Sequence, residues 1–88
     1  MNATVINGAR MTDRAAAHAE LARALKLPPH YGANLDALWD EISCMRGDVT
    51  LVHPAVLLNS LGVYGCKLLQ TLCEAAAENP DFHFRTQD

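Results

Sequence analysis

The ten residues from Tyr31 to Asp40 read YGANLDALWD and combine a turn signal, a helix start, an apolar stripe and an acidic stripe. Gly32 tolerates the positive φ that a residue with a Cβ resists, so a sharp bend is expected just after Tyr31. Asn34 is then the expected N-cap. Its side-chain oxygen accepts from a free amide of the first turn, and Asp36 puts negative charge where the helix dipole favours it. A helix starting at Leu35 carries Leu35, Leu38, Trp39 and Ile42 on one face and Asp36, Asp40 and Ser43 on another. The first face should dock on a core and the second should look outward.

The outer face is unusual for a helix built only for stability. Carboxylates at i and i+4 repel modestly, and no Lys or Arg lies between Tyr31 and Met45 to separate them. From Tyr31 to Asp48, Asp36, Asp40, Glu41 and Asp48 stand against Arg46 alone, so this window carries the whole −3 net charge of the molecule. Such a face is either simply solvated or waiting for a cationic partner, with Trp39 as an aromatic anchor among acids. Spacing leaves both open.

Outward from this stretch the pattern alternates between strands and helices. Ala3 to Asn7 is rich in β-branched residues and ends on the turn signal Asn7-Gly8. Thr12 or Asp13 can cap an Ala-rich helix from Arg14 to Leu25, with Ala17, Leu21, Ala24 and Leu25 as its apolar stripe and His18 as a surface or boundary residue. Pro28 and Pro29 stop it. Beyond the central helix, Arg46-Gly47-Asp48 reads as a turn and Val49 to His53 as a strand ended by Pro54. Ala55 to Leu61 suits a short buried helix, broken by Gly62. A longer helix from about Val63 to Glu78 should turn Leu68, Leu69, Leu72, Cys73 and Ala76 inward. Asn79 and Pro80 end it. Asp81 to Thr86 is the last strand, with Phe82 and Phe84 alternating against His83 and Arg85.

Crossovers containing helices join parallel strands, and right-handed crossovers put all the helices on one face if the strand order is sequential. The expected fold is therefore α/β, a two-layer sandwich of a three-stranded parallel sheet, order 1-2-3, with helices packed on one face. Because His83 and Arg85 face away from the helices, the other face of the sheet should be open.

Composition narrows the function classes. Eighty-eight residues make one domain that can bury a modest core without metal or disulfide. An acidic chain, with seven Lys and Arg against ten Asp and Glu, is a poor nucleic-acid binder and a better binder of a basic protein. No apolar run approaches the ~20 residues that span a bilayer, so no membrane partner is expected. The N-terminus lacks a basic region followed by an apolar segment, which points to a cytoplasmic protein. Cys44, Cys66 and Cys73 are odd in number and form no C-x-x-C pair, so reduced, buried or half-buried thiols are expected rather than a disulfide framework or a metal site. No loop cradles a cofactor and no nucleophile has an evident base. Neither Cys44 beside a His nor the Asp36 and Asp40 pair makes an enzyme site, so neither a cofactor nor catalytic residues are expected.

YGANLDALWD, together with LPPHYG before it, closely resembles the signature of the barstar family of small intracellular ribonuclease inhibitors. Weaker similarity runs through VING, LKLP, VTLV and EAAAE. The resemblance implies a barstar-like fold and a mode of action: the inhibitor plugs the basic active site of a ribonuclease with carboxylates that stand in for RNA phosphates. Residue by residue it implies Asp40 as the phosphate mimic, Asp36 beside it and Glu74 from the long helix. It also implies contacts from His30, Tyr31, Gly32, Asn34, Trp39 and Ser43. The implied partner is a basic ribonuclease of secreted or toxin type, the free protein being a monomer. His30 stands where the best-studied member of the family has a second tyrosine, and Ser43, Cys44 and Met45 replace the more usual threonine, glycine and tryptophan, differences that bear on which ribonuclease is bound. The alternative is an immunity or regulatory module that binds a basic protein of another kind.

Overall fold

The computed structural model describes residues 3–88 and orders them as β1 (Ala3–Asn7), a 3₁₀ turn (Gly8–Arg10), α1 (Arg14–Leu25), α2 (Leu35–Ile42), β2 (Gly47–Val52), α3 (Pro54–Leu61), α4 (Val63–Glu78) and β3 (Phe82–Gln87). The three strands are parallel in the order β1-β2-β3, as expected. Ile6 lies opposite Leu51, and Val49 opposite Phe84. These side chains share the face that meets the helices. Ile6, Leu51 and Phe82 are fully buried together with Met11, Leu21, Leu38, Ile42, Leu57, Leu68 and Leu72.

The opposite face of the sheet carries no helix among the described residues. Val5 is 54% exposed there, and His83 lies opposite Asp48 with Nδ1 2.7 Å from its Oδ1. Parallel sheets are usually covered on both faces. Here the alternation of Phe82 and Phe84 with His83 and Arg85 makes a one-sided sheet.

Local chemistry explains the element ends. Asp13 caps α1 by accepting from the amide of Ala16 at 2.7 Å. Gly62, at φ 57° and ψ −125°, both ends α3 and precedes α4, a conformation that L side chains resist. Pro54 opens α3 instead of only closing the strand, since a helix's first residue needs no amide donor. Gly47 and Asp48, expected in a turn, instead start β2, with the Gly47 amide donating to the Asp81 carbonyl at 2.9 Å. Gly8 is needed for space. A Cβ there would lie 2.4 Å from the carbonyl oxygen of His53 and 2.7 Å from that of Val52.

Four expectations are corrected by burial. His18 is 2% exposed, not a surface residue, because its ring is held between two tyrosines. All three thiols are exposed. The buried stripe of α4 runs Gly65, Leu68, Leu72, Ala75, which turns Cys73 outward and leaves Leu69 and Ala76 half-buried. In α3 only Leu57 is buried, so that helix caps the core instead of lying within it.

Candidate partner-binding site

The central helix forms as its sequence dictates. Asn34 accepts from the Ala37 amide at 2.7 Å and donates through Nδ2 to the Gly32 carbonyl at 3.1 Å, clamping the turn to the helix start. The bend itself corrects one expectation: the left-handed residue is Ala33, at φ 52°, and not Gly32. Gly32 is there for room, since a Cβ would lie 3.2 Å from Asn34 Nδ2 and 3.3 Å from the Ala37 Cβ.

Leu38 and Ile42 are fully buried, and Leu35 and Trp39 pack half-buried against the same core. Each buried aliphatic contributes about 1.5–3 kcal/mol. Like charges at i and i+4 cost only about 0.2–0.5 kcal/mol, so docking outweighs the repulsion of the outer face. The C-terminal end of α2 has a partner far away in sequence. Asn79 Nδ2 reaches the carbonyls of Ile42, Ser43 and Met45 at 3.3, 3.1 and 2.9 Å, capping the helix from the end of α4.

On the outer surface α2 and α4 enclose a cleft of 360 Å³. Leu35 and Trp39 line it together with Asp36 from α2 and Lys67, Gln70, Thr71 and Glu74 from α4. Asp36 and Asp40 are both exposed, and among the described residues neither meets a Lys, Arg or His within 4 Å. Glu74 accepts from Gln70 Nε2 at 3.1 Å. Ser43 is exposed and donates to the Trp39 carbonyl, while Trp39 and Ser43 border a smaller hollow with Ala75, Glu78 and Asn79. Asp36, Trp39 and Glu74 are thus brought together, and Asp40 lies on the same helical face one turn beyond Asp36.

His30 and Gly32 are exposed on the entry segment. Tyr31 is half-buried and its hydroxyl points inward, 2.6 Å from Nδ1 of His18. Burial above all, with the neighbouring Tyr64 phenol and then the Glu41 carboxylate opposing a second negative charge, pushes its phenol up to about 12, so it stays neutral at physiological pH. A larger depression, 470 Å³, lies elsewhere. It runs between the start of β1, the end of α1 and the approach to β2, with Arg23, Lys26 and Arg46 on its walls.

The family model described as Barstar (barnase inhibitor) matches residues 1–87. The chain belongs to the Barstar family. It is also 36% identical over 87 residues to a protein of Bacillus subtilis (strain 168) named "Putative ribonuclease inhibitor YrdF", the match covering 92% of each chain. Among the described residues of this Barstar-family chain, no three His, Cys, Asp or Glu side chains stand close enough to hold a metal ion, and no helix is long and apolar enough to cross a membrane.

Sequence reading assigns no bridging or binding role to His18, Tyr64, Lys67 or Asn79. His18 is separated from Tyr64 by 46 residues, and Asn79 from the carbonyls it caps by 34–37 residues, distances at which no spacing rule operates. Lys67 had a usable signal, because it stands seven residues before Glu74 and so falls on the same helical face.

Proposed function

We propose that this protein inhibits a ribonuclease by laying the acidic face of α2 into the enzyme's basic active site. A site that cleaves RNA must stabilise a phosphodiester, and it does so with Arg, Lys and His donors. Carboxylates held where phosphate oxygens would lie accept the same charge-assisted hydrogen bonds. Asp40 is the phosphate mimic, Asp36 supports it, and Glu74 reaches in from α4. Trp39 supplies an apolar anchor at the cleft. His30, Tyr31, Gly32 and Asn34 form one side of the contact and Ser43 the other.

One observation carries this reading: in a Barstar-family chain, Asp36 and Glu74 border one cleft, with Asp40 on the same helix face, and among the described residues neither aspartate forms an ion pair within 4 Å. The concentrated negative charge would also speed encounter with a basic protein. The protein acts as a single cytoplasmic domain, monomeric when free and without cofactor or catalytic activity. Its target is a basic ribonuclease of secreted or toxin type rather than nucleic acid or membrane.

The test is inhibition of RNA cleavage by barnase and by other basic ribonucleases, each titrated with wild-type protein and with Asp40→Ala. Inhibition that RNA analogues relieve by competition, and that Asp40→Ala loses, is the expected outcome. Binding to a basic protein that RNA analogues fail to displace would replace active-site plugging with an immunity or regulatory module of another kind.

A further inference from the structure

His18 is a buried imidazole that phosphate mimicry does not use. Its two ring nitrogens are both engaged: Nδ1 lies 2.6 Å from the hydroxyl of Tyr31 and Nε2 lies 2.7 Å from that of Tyr64. A neutral imidazole has one N–H and one bare nitrogen, so one tyrosine donates to it while the other accepts from it. The ring thereby ties three separate parts of the chain together: α1, the entry segment before α2, and the first turn of α4. Both tyrosine rings also pack on it, with centroids 5.7 and 6.0 Å away.

We propose that His18 is a pH-linked positioning residue for the binding segment Tyr31–Asn34, holding it through Tyr31 when neutral and loosening it when protonated. This rests on the functional reading above only for its consequence, since the clamp itself is a property of the free chain.

The physical case follows from what surrounds the ring. On its own helix Arg14 places its guanidinium carbon 4.0 Å from the centre of the Tyr64 ring, so a second positive charge would arise beside an existing one. From the entry segment it faces Tyr31, and from α4 Tyr64. Glu41 of α2 acts electrostatically on Tyr31. Tyr31 and Tyr64 offer hydroxyls and no carboxylate, so neither neutralises an imidazolium. Burial first, and the Arg14 charge second, hold the His18 pKa below its ordinary 6.5. Protonation also removes the bare nitrogen, so the tyrosine that donated to it must turn its hydroxyl to accept from the new N–H, leaving its own O–H proton without an acceptor in a buried place. Tyr31 is adjacent to Gly32 and three residues from the N-cap Asn34. With Nδ1 as the bare nitrogen of the neutral ring, Tyr31 is that donor, and the turning of its hydroxyl loosens the turn that sets where α2 begins.

The experiment follows the isotopically labelled free protein by NMR from about pH 8 to pH 5, the range in which histidine titrates. The His18 ring proton reports its protonation, and the amides of Tyr31, Gly32, Ala33 and Asn34 report the segment. Far-UV circular dichroism reads whether the chain stays folded. The expected result is that these amides shift with the His18 midpoint in wild type, and that the inflection vanishes in His18→Gln. Tyr64→Phe, on the far side of the ring, should speed hydrogen exchange of the same amides by roughly fivefold, the equivalent of one hydrogen bond. Amides that hold their shifts while His18 titrates, or exchange unaltered by Tyr64→Phe, would overturn the clamp. A binding arm with barnase compares the pH dependence of Kd for wild type and His18→Gln. A difference that changes at the His18 midpoint extends the clamp to partner capture. Failure of ribonucleases to bind would sink the inhibitor reading without touching the NMR result.

Discussion

Glu20 on α1 and Asp40 on α2 are both acids on short helices, and they are used in opposite ways. Glu20 is 4% exposed. It accepts from the Asn7 amide at 2.8 Å and from Arg23 Nε and Nη2 at 2.9 and 2.6 Å. Asp40 is exposed and, like Asp36, meets no cation among the described residues. The first acid is consumed by the fold, tying α1 to the end of β1. The second leaves its hydrogen-bonding capacity outward. Acidity alone therefore does not mark a binding site, and the difference lies in whether the chain itself answers the charge.

The largest effect should come from breaking the outward half of this contrast. If Asp40 meets a desolvated cationic site in the partner, Asp40→Ala removes a hot-spot contact and weakens binding by at least about 2 kcal/mol, roughly thirtyfold. Thermal unfolding of the free protein should hardly move, because among the described residues no side chain or amide bonds to that carboxylate. Unchanged affinity by calorimetry would end the proposed role.

Breaking the inward half should give the mirror result. Glu20→Gln keeps an acceptor for the Asn7 amide but loses the charge that Arg23 answers, and hydrogen bonds to charged groups are worth about 1.5–3 kcal/mol. Urea unfolding should register a loss of about that size, while affinity of the folded fraction stays as in wild type. The inward groups also predict a pH dependence of stability. Hydrogen bonding from Arg23, followed by that from Asn7, lowers the Glu20 pKa from 4.5 against an opposing burial effect, so its stabilisation is present above about pH 4.5 and lost as pH falls toward the native value. His18, lowered from 6.5, acts in the same direction but earlier: the unfolded chain takes up its proton first, so stability begins to fall below about pH 6.5. Denaturant midpoints across pH should decline in two stages, the upper one absent in His18→Gln.

A third substitution sharpens the contrast by loosening the outward helix without touching its acids. Asn79→Ala leaves the carbonyls of Ile42, Ser43 and Met45 without their side-chain donor. A loss of about 0.5–1.5 kcal/mol is expected, with faster hydrogen exchange concentrated in the last turn of α2. A loss spread evenly over the chain would mean that Asn79 does not position this helix.

What the sequence revealed of this architecture was what lies within a few residues of its partner. Asn34 capping Ala37, Asp13 capping Ala16 and the alternation of Phe82 with His83 are local patterns, and the helices, the parallel sheet and the exposed acidic face follow from them. The inward groups were not legible. His18 answers to Tyr31 and Tyr64, 13 and 46 residues away, and Asn79 to carbonyls more than thirty residues back. Glu20 finds Arg23 by helical spacing, yet its burial depends on the end of β1 passing beside it. The Gly32 and Ala33 exchange is of another kind: a glycine beside a bend suggests the conformational role, but Gly32 supplies room beside Asn34 and Ala37 while Ala33 takes the left-handed conformation.

Lys67 tests the contrast at its finest grain. It is the cation on the wall of the cleft that Asp36 and Glu74 border, yet it forms no ion pair with them within 4 Å among the described residues. It makes no direct ion pair with those acids as Arg23 does with Glu20, but its positive charge subtracts from their field. Toward a basic partner it is a like charge, which makes it a candidate for selecting among ribonucleases by repulsion. Exposed single charges are worth about 0.2–1 kcal/mol, so Lys67→Ala should tighten binding of a basic ribonuclease by up to roughly fivefold, mostly through a faster on-rate. The gain should shrink as salt rises, since screening removes long-range repulsion first. A slower on-rate in Lys67→Ala would mean that the partner places an acid opposite this lysine, and that the cleft recognises a mixed pair of charges instead of a purely cationic surface.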